Sequence, residues 1–291
     1  MADVREITRD IKLVIGEGKG QFPHSNSLYI DDDVKGLVDS GLGESLNLLF
    51  RDKVDILLNT HFHVDHIKGN HQFSRALIYA HELEAPVIRS EEKFMAVTGF
   101  NSFPEGPPGI KQIGYRPSRV DRTFADGETL AFGRTKCQVV HLPGHSAGHC
   151  GFFFPEEEIL FTGDIDLTSF GPWYGFADCD LDRFIASVQK IIELSPKLIA
   201  TSHAGLFITG NLREKLQAYI GVIEVRDQLL LDLLVKPHTF LEIAQQKLIY
   251  RKHPEPVRFF LHWETGMIKH HLTRLVHSGQ IVFEEGKYRK I

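Results

Sequence analysis

The sequence predicts an α/β protein in which two β-sheets pack face to face with helices outside. Two observations carry that expectation. Short apolar strands come in two blocks, each followed by helices, and their apolar faces are buried when the sheets stack. The 291 residues are 42% hydrophobic and 24% charged with a net charge of −5, the balance of a chain that builds a core. Cys137, Cys150 and Cys179 are too few for a disulfide framework. No 18-residue apolar run occurs, and residues 1–30 show no basic stretch followed by an apolar one. A cytosolic protein without a membrane span is expected.

Ile11–Ile15, Ser27–Ile30 and Gly36–Asp39 are apolar or alternating runs between Gly- and Asp-rich turns, the pattern of a meander. Val54–Leu58 is a short apolar run that ends at Asn59-Thr60. Gly99–Pro117, rich in Pro and Gly, reads as a long loop over one edge. Thr129–Phe132, Thr135–Leu142, Cys150–Phe154 and Ile159–Phe161 form the second strand series. Asp180–Leu194 is an amphipathic helix with Leu181, Phe184, Ile185, Val188, Ile191 and Ile192 on one stripe, and Asp178, Asp180 and Asp182 cap its start. Lys197–Thr201 is a further strand.

Charge then changes sign. Residues 1–211 hold 20 basic and 29 acidic residues, whereas residues 212–291 hold 13 and 9. That break, from −9 to +4, divides the chain into an expected domain 1–211 and a second domain 212–291. The second reads as a helix over 212–234, a short helix N-capped by Thr239, and helical periodicity from Val257 to His277 with a break at Gly266. Gly279 stands just past the end of that helix. A hairpin follows, Ile281–Phe283 and Lys287–Arg289 around Glu284-Glu285-Gly286.

Histidine is the informative residue. Four of the 16 lie between His61 and His71, and three more between His141 and His149. Clustered imidazoles with few cysteines point to metal chemistry. In Thr60-His61-Phe62-His63-Val64-Asp65-His66, alternate residues of an extended strand end point to one side, so His61 and His63 can grip one ion. Asp65 and His66 come one step later and can face a second. Three more donors stand where an apolar strand gives way to small residues: His145 in Pro143-Gly144-His145, Asp164 in Thr162-Gly163-Asp164, and His203 in Ser202-His203-Ala204-Gly205.

This ordered set, HxHxDH, then PGH, GD and SHxG, resembles the metallo-β-lactamase fold superfamily over roughly residues 10–210. The resemblance implies an αββα sandwich with a dinuclear site between the sheets. It implies that His61, His63 and His145 bind the first metal, that Asp65, His66 and His203 bind the second, and that Asp164 bridges them. Asp39, in Val38-Asp39-Ser40-Gly41, matches the early Asp that braces the HxHxDH loop from behind the ligands.

Seven nitrogen and oxygen donors without a thiolate suit two divalent ions, Zn²⁺ first, with Mn²⁺ or Fe as alternatives. Ions roughly 3.5–4 Å apart can share a water whose pKa falls towards ~7. The expected activity is therefore hydrolysis by a metal-bridging hydroxide, on a small ester, thioester or lactone. Zinc β-lactamases of this fold carry Cys where Asp164 stands, and flavodiiron members carry Glu for His63, so both activities are disfavoured. Asp65 counts as a candidate catalytic carboxylate as well as a ligand. Tyr174, in Gly171-Pro172-Trp173-Tyr174-Gly175, and His24 are candidates for orienting the substrate or protonating the leaving group. Trp173 and Tyr174 could equally anchor their loop by packing.

Helices followed by a two-stranded hairpin resemble a winged helix, as in the C-terminal domain of β-lactamase-like hydrolases, including a branch of endoribonucleases. Lys269 and Arg274 are the candidate phosphate contacts should nucleic acid bind. A charge of +4 is modest for that role, so packing on the sandwich, closing the groove or mediating a homodimer is favoured. The rival functions are an endoribonuclease or phosphodiesterase using the same hydroxide, a mononuclear iron persulfide dioxygenase, and a non-catalytic binding protein that keeps its metals structurally.

Overall fold

The computed structural model describes residues 2–103, 109, 113–205 and 207–291. Seven strands form the first sheet in chain order: β1 (Asp3–Glu6), β2 (Ile11–Ile15), β3 (Ser27–Asp31), β4 (Lys35–Val38), β5 (Ile56–Leu58), β6 (Leu77–His81) and β7 (Arg122–Phe124). Pairing is antiparallel from β1 to β4 and parallel from β4 to β7. The second sheet holds β8 (Thr129–Ala131), β9 (Lys136–His141), β10 (Cys150–Phe154), β11 (Ile159–Phe161), β12 (Leu198–Ala200) and β13 (Ile208–Thr209). Its pairs are antiparallel except β11 with β12.

The period of two sorts side chains between layers. Ile11, Leu13 and Ile15 turn inward with Leu28, Ile30, Val38 and Leu58, against Val139, Phe152, Phe154 and Phe161 of the other sheet. Val14, Tyr29, Leu37, Leu57 and Ile78 turn to the opposite face, where Leu46 of helix α1 (Glu44–Asn47) packs with Leu42, Phe50 and Phe73. Helix α2 (Val64–Ile67) follows β5. Helices α3 (Ala85–Arg89) and α4 (Glu91–Thr98) lie beyond β6. The second sheet is covered by α5 (Leu181–Leu194) and the first half of α6 (Leu212–Leu233), through Phe184, Val188, Ile191, Leu216 and Tyr219. Each fully buried large apolar side chain contributes about 1.5–3 kcal/mol. The result is helix, sheet, sheet, helix, the αββα order expected.

Two expectations are corrected in detail. Asp180 alone is the N-cap of α5, accepting from the Arg183 N–H at 3.0 Å, while Asp178 turns to the Ala147 N–H at 3.0 Å. Helix α8 (Val257–His277) runs unbroken through Gly266. Glycine is required there because a Cβ would stand 2.1 Å from the Gly175 carbonyl oxygen, so the residue marks a close approach and not a break. The Gly99–Pro117 loop falls partly outside the described residues; of the rest, Phe100–Ser102 makes a 3₁₀ turn packed on Phe94.

Leu230, Leu231 and Leu234 from the end of α6 meet Ile243 of α7 (Phe240–Ala244), Ile268, Leu272 and Leu275 of α8, and Ile281 of the hairpin β14 (Ile281–Glu284) and β15 (Lys287–Lys290). Thr239 and Glu242 form a capping box on α7. Helix α6 thus joins three clusters: Leu216 and Tyr219 on the sandwich, Ile223 with Phe62, Tyr174, Phe176 and Met267, and Leu230 and Leu231 in the C-terminal segment. Among the described residues no helix is long and apolar enough to cross a membrane.

Candidate metal centre

Every expected donor leaves the same end of the sandwich. Thr60–His66 follow β5, Asp164 follows β11, His203 follows β12, and His145 lies in the connection from β9 to β10. The parallel pairs β4–β5 and β11–β12 align their carboxyl ends, which is why residues so distant in sequence arrive together. Glycine makes room at two of these turns. Gly144 has φ 130°, and a Cβ there would press on the Phe184 backbone at 2.4 Å. Gly163 has φ 57°, and a Cβ would stand 2.7 Å from His149 Nε2.

The donors fall into two groups, each with its ligand atoms within 4.8 Å of one another: His61, His63, His145 and Asp164, then Asp65, His66 and His203. His145 Nε2 lies 3.2 Å from His61 Nε2 and 2.9 Å from His63 Nδ1. One Asp164 oxygen is 3.2 Å from His145 Nε2; the other is 3.0 Å from His66 Nε2 and 3.3 Å from His203 Nε2. Asp65 Oδ2 stands 3.4 Å from His203 Nε2. A single carboxylate therefore reaches into both groups.

The far nitrogens fix the tautomers. His61 Nδ1–H donates to Thr60 Oγ1 at 2.9 Å, and the Thr60 hydroxyl donates to Asp39 Oδ2 at 2.8 Å. His145 Nδ1–H donates to the Trp173 carbonyl at 2.9 Å, His203 Nδ1–H to the Gly20 carbonyl at 2.7 Å, and His66 Nδ1–H to Asp39 Oδ2 at 2.8 Å. These bonds occupy Nδ1, so Nε2 is the nitrogen that each of the four rings turns to the centre. His66 Nε2 and Asp164 Oδ1 are buried, 3.0 Å from each other and turned into the centre. So many nitrogen and oxygen donors converging at one buried point are a cost unless a cation, whether shared protons or metal ions, sits between them. The donor set fits divalent metal ions.

Electrostatics divides the two groups. Burial and neighbouring imidazoles hold His61 and His63 well below the usual imidazole range. Burial also works against charge on His66, but the Asp164, Asp65 and Asp39 carboxylates outweigh it and raise that imidazole to about 10. Burial alone would raise Asp164; the surrounding His66, His203 and His145 instead hold it well below the usual carboxylate range.

Asp39 stands at φ 61°, a conformation that Asp tolerates. It accepts from the Thr60 N–H at 2.8 Å as well as from Thr60 Oγ1 and His66, so it holds the loop and aims a ligand together. Two supports escape the sequence. Glu84, fully buried, accepts from Phe62 N–H (2.7 Å), Ser146 Oγ (2.8 Å) and Gly148 N–H (2.6 Å), tying the His61–His66 loop to the His145 loop. Burial and the nearby Asp178 carboxylate push Glu84 up to about 8. His149, kept neutral by burial that pushes its pKa down to about 3, accepts the Asp164 N–H at 3.2 Å. No spacing rule singles out a lone Glu after β6 or one histidine among several.

Tyr174 is not at the mouth of the site. It is fully buried, and its hydroxyl lies between Arg226 Nη1 (2.8 Å) and His271 Nε2 (2.7 Å), away from the donors. Packing, the other reading of that loop, describes it. Its neighbour Trp173 is at the centre through its carbonyl, and its ring sits edge-on to His63 at 5.3 Å. His24 stands on the rim, Nε2 3.6 Å from Glu17 Oε2, its pKa lowered by burial and by Lys68. Lys269 is exposed on α8, whereas Arg274 is spent on ion pairs with Asp182 at 2.9 Å and with Asp227.

A model of the Metallo-beta-lactamase superfamily matches residues 20–203, a span that contains all seven donors and Asp39. The chain belongs to this superfamily. Hydroxyacylglutathione hydrolase GloC of Haemophilus influenzae is 29% identical over 200 residues, 65% of this chain and 88% of that one. Acyl-coenzyme A thioesterase MBLAC2 of Bos taurus is 29% identical over 144 residues, 46% of this chain and 49% of the relative, so the chain spans about half of that protein. The crystal structure of a metallo-beta-lactamase family protein from Thermus thermophilus superposes with a TM-score of 0.74 at 24% identity, over 92% of this chain and 94% of the other. At that identity the likeness shows the fold, and its coverage extends into residues 212–291.

Proposed function

We propose that this chain is a metal-dependent hydrolase that cleaves a small thioester, with residues 1–211 carrying the chemistry and 212–291 a winged-helix-like unit packed against it. The observation that carries the reading is Asp164, one carboxylate with an oxygen in each of two converging donor groups. His61, His63, His145 and Asp164 would hold one divalent ion, and Asp65, His66, His203 and Asp164 the other, with Zn²⁺ suited to the nitrogen and oxygen donors. Such ions supply Lewis acidity and lower the pKa of bound water. The chain's part is orientation: Asp39 fixes His66 and, through Thr60, His61, while the Trp173 and Gly20 carbonyls fix His145 and His203. Asp65, its Oδ2 facing His203, would add an ionised carboxylate to the second group.

The substrate class rests on two supports. Relatives named for the hydrolysis of hydroxyacylglutathione and acyl-coenzyme A act on thioesters. A thiol of pKa ~8.5 also departs readily as thiolate, so no side chain need protonate it. That agrees with Tyr174 being locked in the interior and His24 being only a rim group. The engagement of Arg274 by Asp182 and Asp227 speaks against the phosphodiester rival. Three buried free cysteines suit a reducing compartment such as the cytosol.

Zinc-loaded protein should hydrolyse acyl-glutathione or acyl-coenzyme A with kcat/KM on the order of 10⁴ M⁻¹s⁻¹ or more, and lactones and phosphodiesters far more slowly. Elemental analysis of the same sample should give two metals per chain. Thioester turnover no faster than that of the chelator-treated protein overturns the reading.

A further inference from the structure

Residues 170–176 form no helix or strand, yet they carry the carbonyl that fixes His145. Four backbone carbonyls of this loop are met by side chains from elsewhere. Arg226 of α6 donates to Phe170 O (2.6 Å) and Pro172 O (2.6 Å), His145 to Trp173 O (2.9 Å), and His270 of α8 pairs through Nε2 with Phe176 O (2.8 Å). The Arg226 guanidinium also lies over the rings of Phe170 (4.8 Å) and Tyr174 (5.4 Å).

Behind it runs a buried chain with one consistent set of directions. Arg226 donates to Tyr174 Oη at 2.8 Å, and the Tyr174 hydroxyl donates to His271 Nε2 at 2.7 Å. His271 Nδ1–H donates to Asp227 Oδ1 at 2.6 Å, and Asp227 is closed off by Arg274. His271 is fully buried, and Arg226 and Asp227 are nearly so. Burying these groups would be costly if their partners could shift, so the network fixes one arrangement of α6, α8 and the loop.

We propose that Arg226 is a positioning residue for the first donor group: by pinning Phe170, Pro172 and Tyr174 it sets where the Trp173 carbonyl stands, and with it the aim of His145 Nε2. The C-terminal helices are then part of the metal centre at one remove, a role distinct from binding a partner. The inference rests on the metal-centre reading and not on the identity of the substrate.

Cobalt separates the two claims. Co²⁺ titrated into the metal-free protein against a competing chelator reports affinity, and its visible absorption reports ligand geometry. Wild type should take up two ions. Arg226→Met, folded by circular dichroism, should bind the first of them about tenfold more weakly with an altered spectrum, and Arg226→Lys should recover part of the affinity. If Arg226→Met does not fold, Tyr174→Phe, which removes one hydroxyl from the same clamp, should show a smaller change of the same kind. Wild-type affinities and spectrum in a folded Arg226→Met, or in Tyr174→Phe where the former is unfolded, overturn this inference alone. No cobalt uptake by wild type removes the metal centre and the inference with it.

Discussion

The two donor groups share Asp164 but are built on different principles. The first is three buried imidazoles and a carboxylate, with His61 and His145 backed by neutral acceptors at Thr60 and Trp173. The second pairs its imidazoles with carboxylates on both sides: Asp65 and Asp164 in front, and Asp39 behind His66. Its His203 keeps 15% of its side chain exposed and leans on a backbone carbonyl. Supports differ in parallel, with Glu84 tying together the loops of the first group and Asp39 gripping the second directly. One group is held by shape and the other by charge.

The harshest test of that contrast is Asp164→Ala, which removes the shared member. Both ions should be lost by elemental analysis, and thioester turnover should fall on the order of a thousand-fold, a few kcal/mol of lost charge stabilisation. A variant that keeps either ion at wild-type affinity would show that the groups are independent.

Next come the single histidines. His61→Ala opens a buried position that water fills poorly, and about a hundred-fold loss in turnover is expected; His203→Ala leaves a rim position to water, with a loss nearer tenfold. Equal losses would break the distinction between an enclosed and an open group.

Asp39→Asn tests charge against shape. Asn also accepts the positive φ at this position, so the backbone is spared. Metal affinity should drop about tenfold, chiefly for the second ion, as read by chelator competition. A larger effect on the first ion would mean that the Thr60 link outweighs the His66 contact.

The smallest effect is expected at Glu84. Its folded pKa, up to about 8, lies above its ordinary 4.5. The stability it lends is therefore complete below the unfolded value and is lost as pH rises through about 8. Glu84→Gln should flatten that part of the Tm-versus-pH curve of the metal-free protein between pH 5 and 9. An unchanged slope would remove Glu84 from the pH response.

Much of this was open to the sequence because it rests on local rules. Ile11–Ile15, Cys150–Phe154 and the α5 stripe declare themselves by periodicity, which reflects one buried face per element. Strands β1 and β7 do not: β1 is exposed along its whole length, and β7 is three residues with only Phe124 buried. β6, though largely buried, is not among the strands read from the sequence. The sequence does not place Tyr174, because a loop without regular structure takes its course from distant partners, here Arg226 and His271.

The amino-acid order by itself determined the donor types, their grouping after strand ends and the αββα layering, since each follows from chemistry or spacing within a short stretch of chain. Only the folded molecule decided that Glu84 and His149 stand behind the two donor groups, and that α6 and α8 hold the loop behind His145. Those facts depend on contacts between segments far apart in the chain, 97 residues in the case of Tyr174 with His271. Close packing in three dimensions sets such contacts, and no local pattern encodes them.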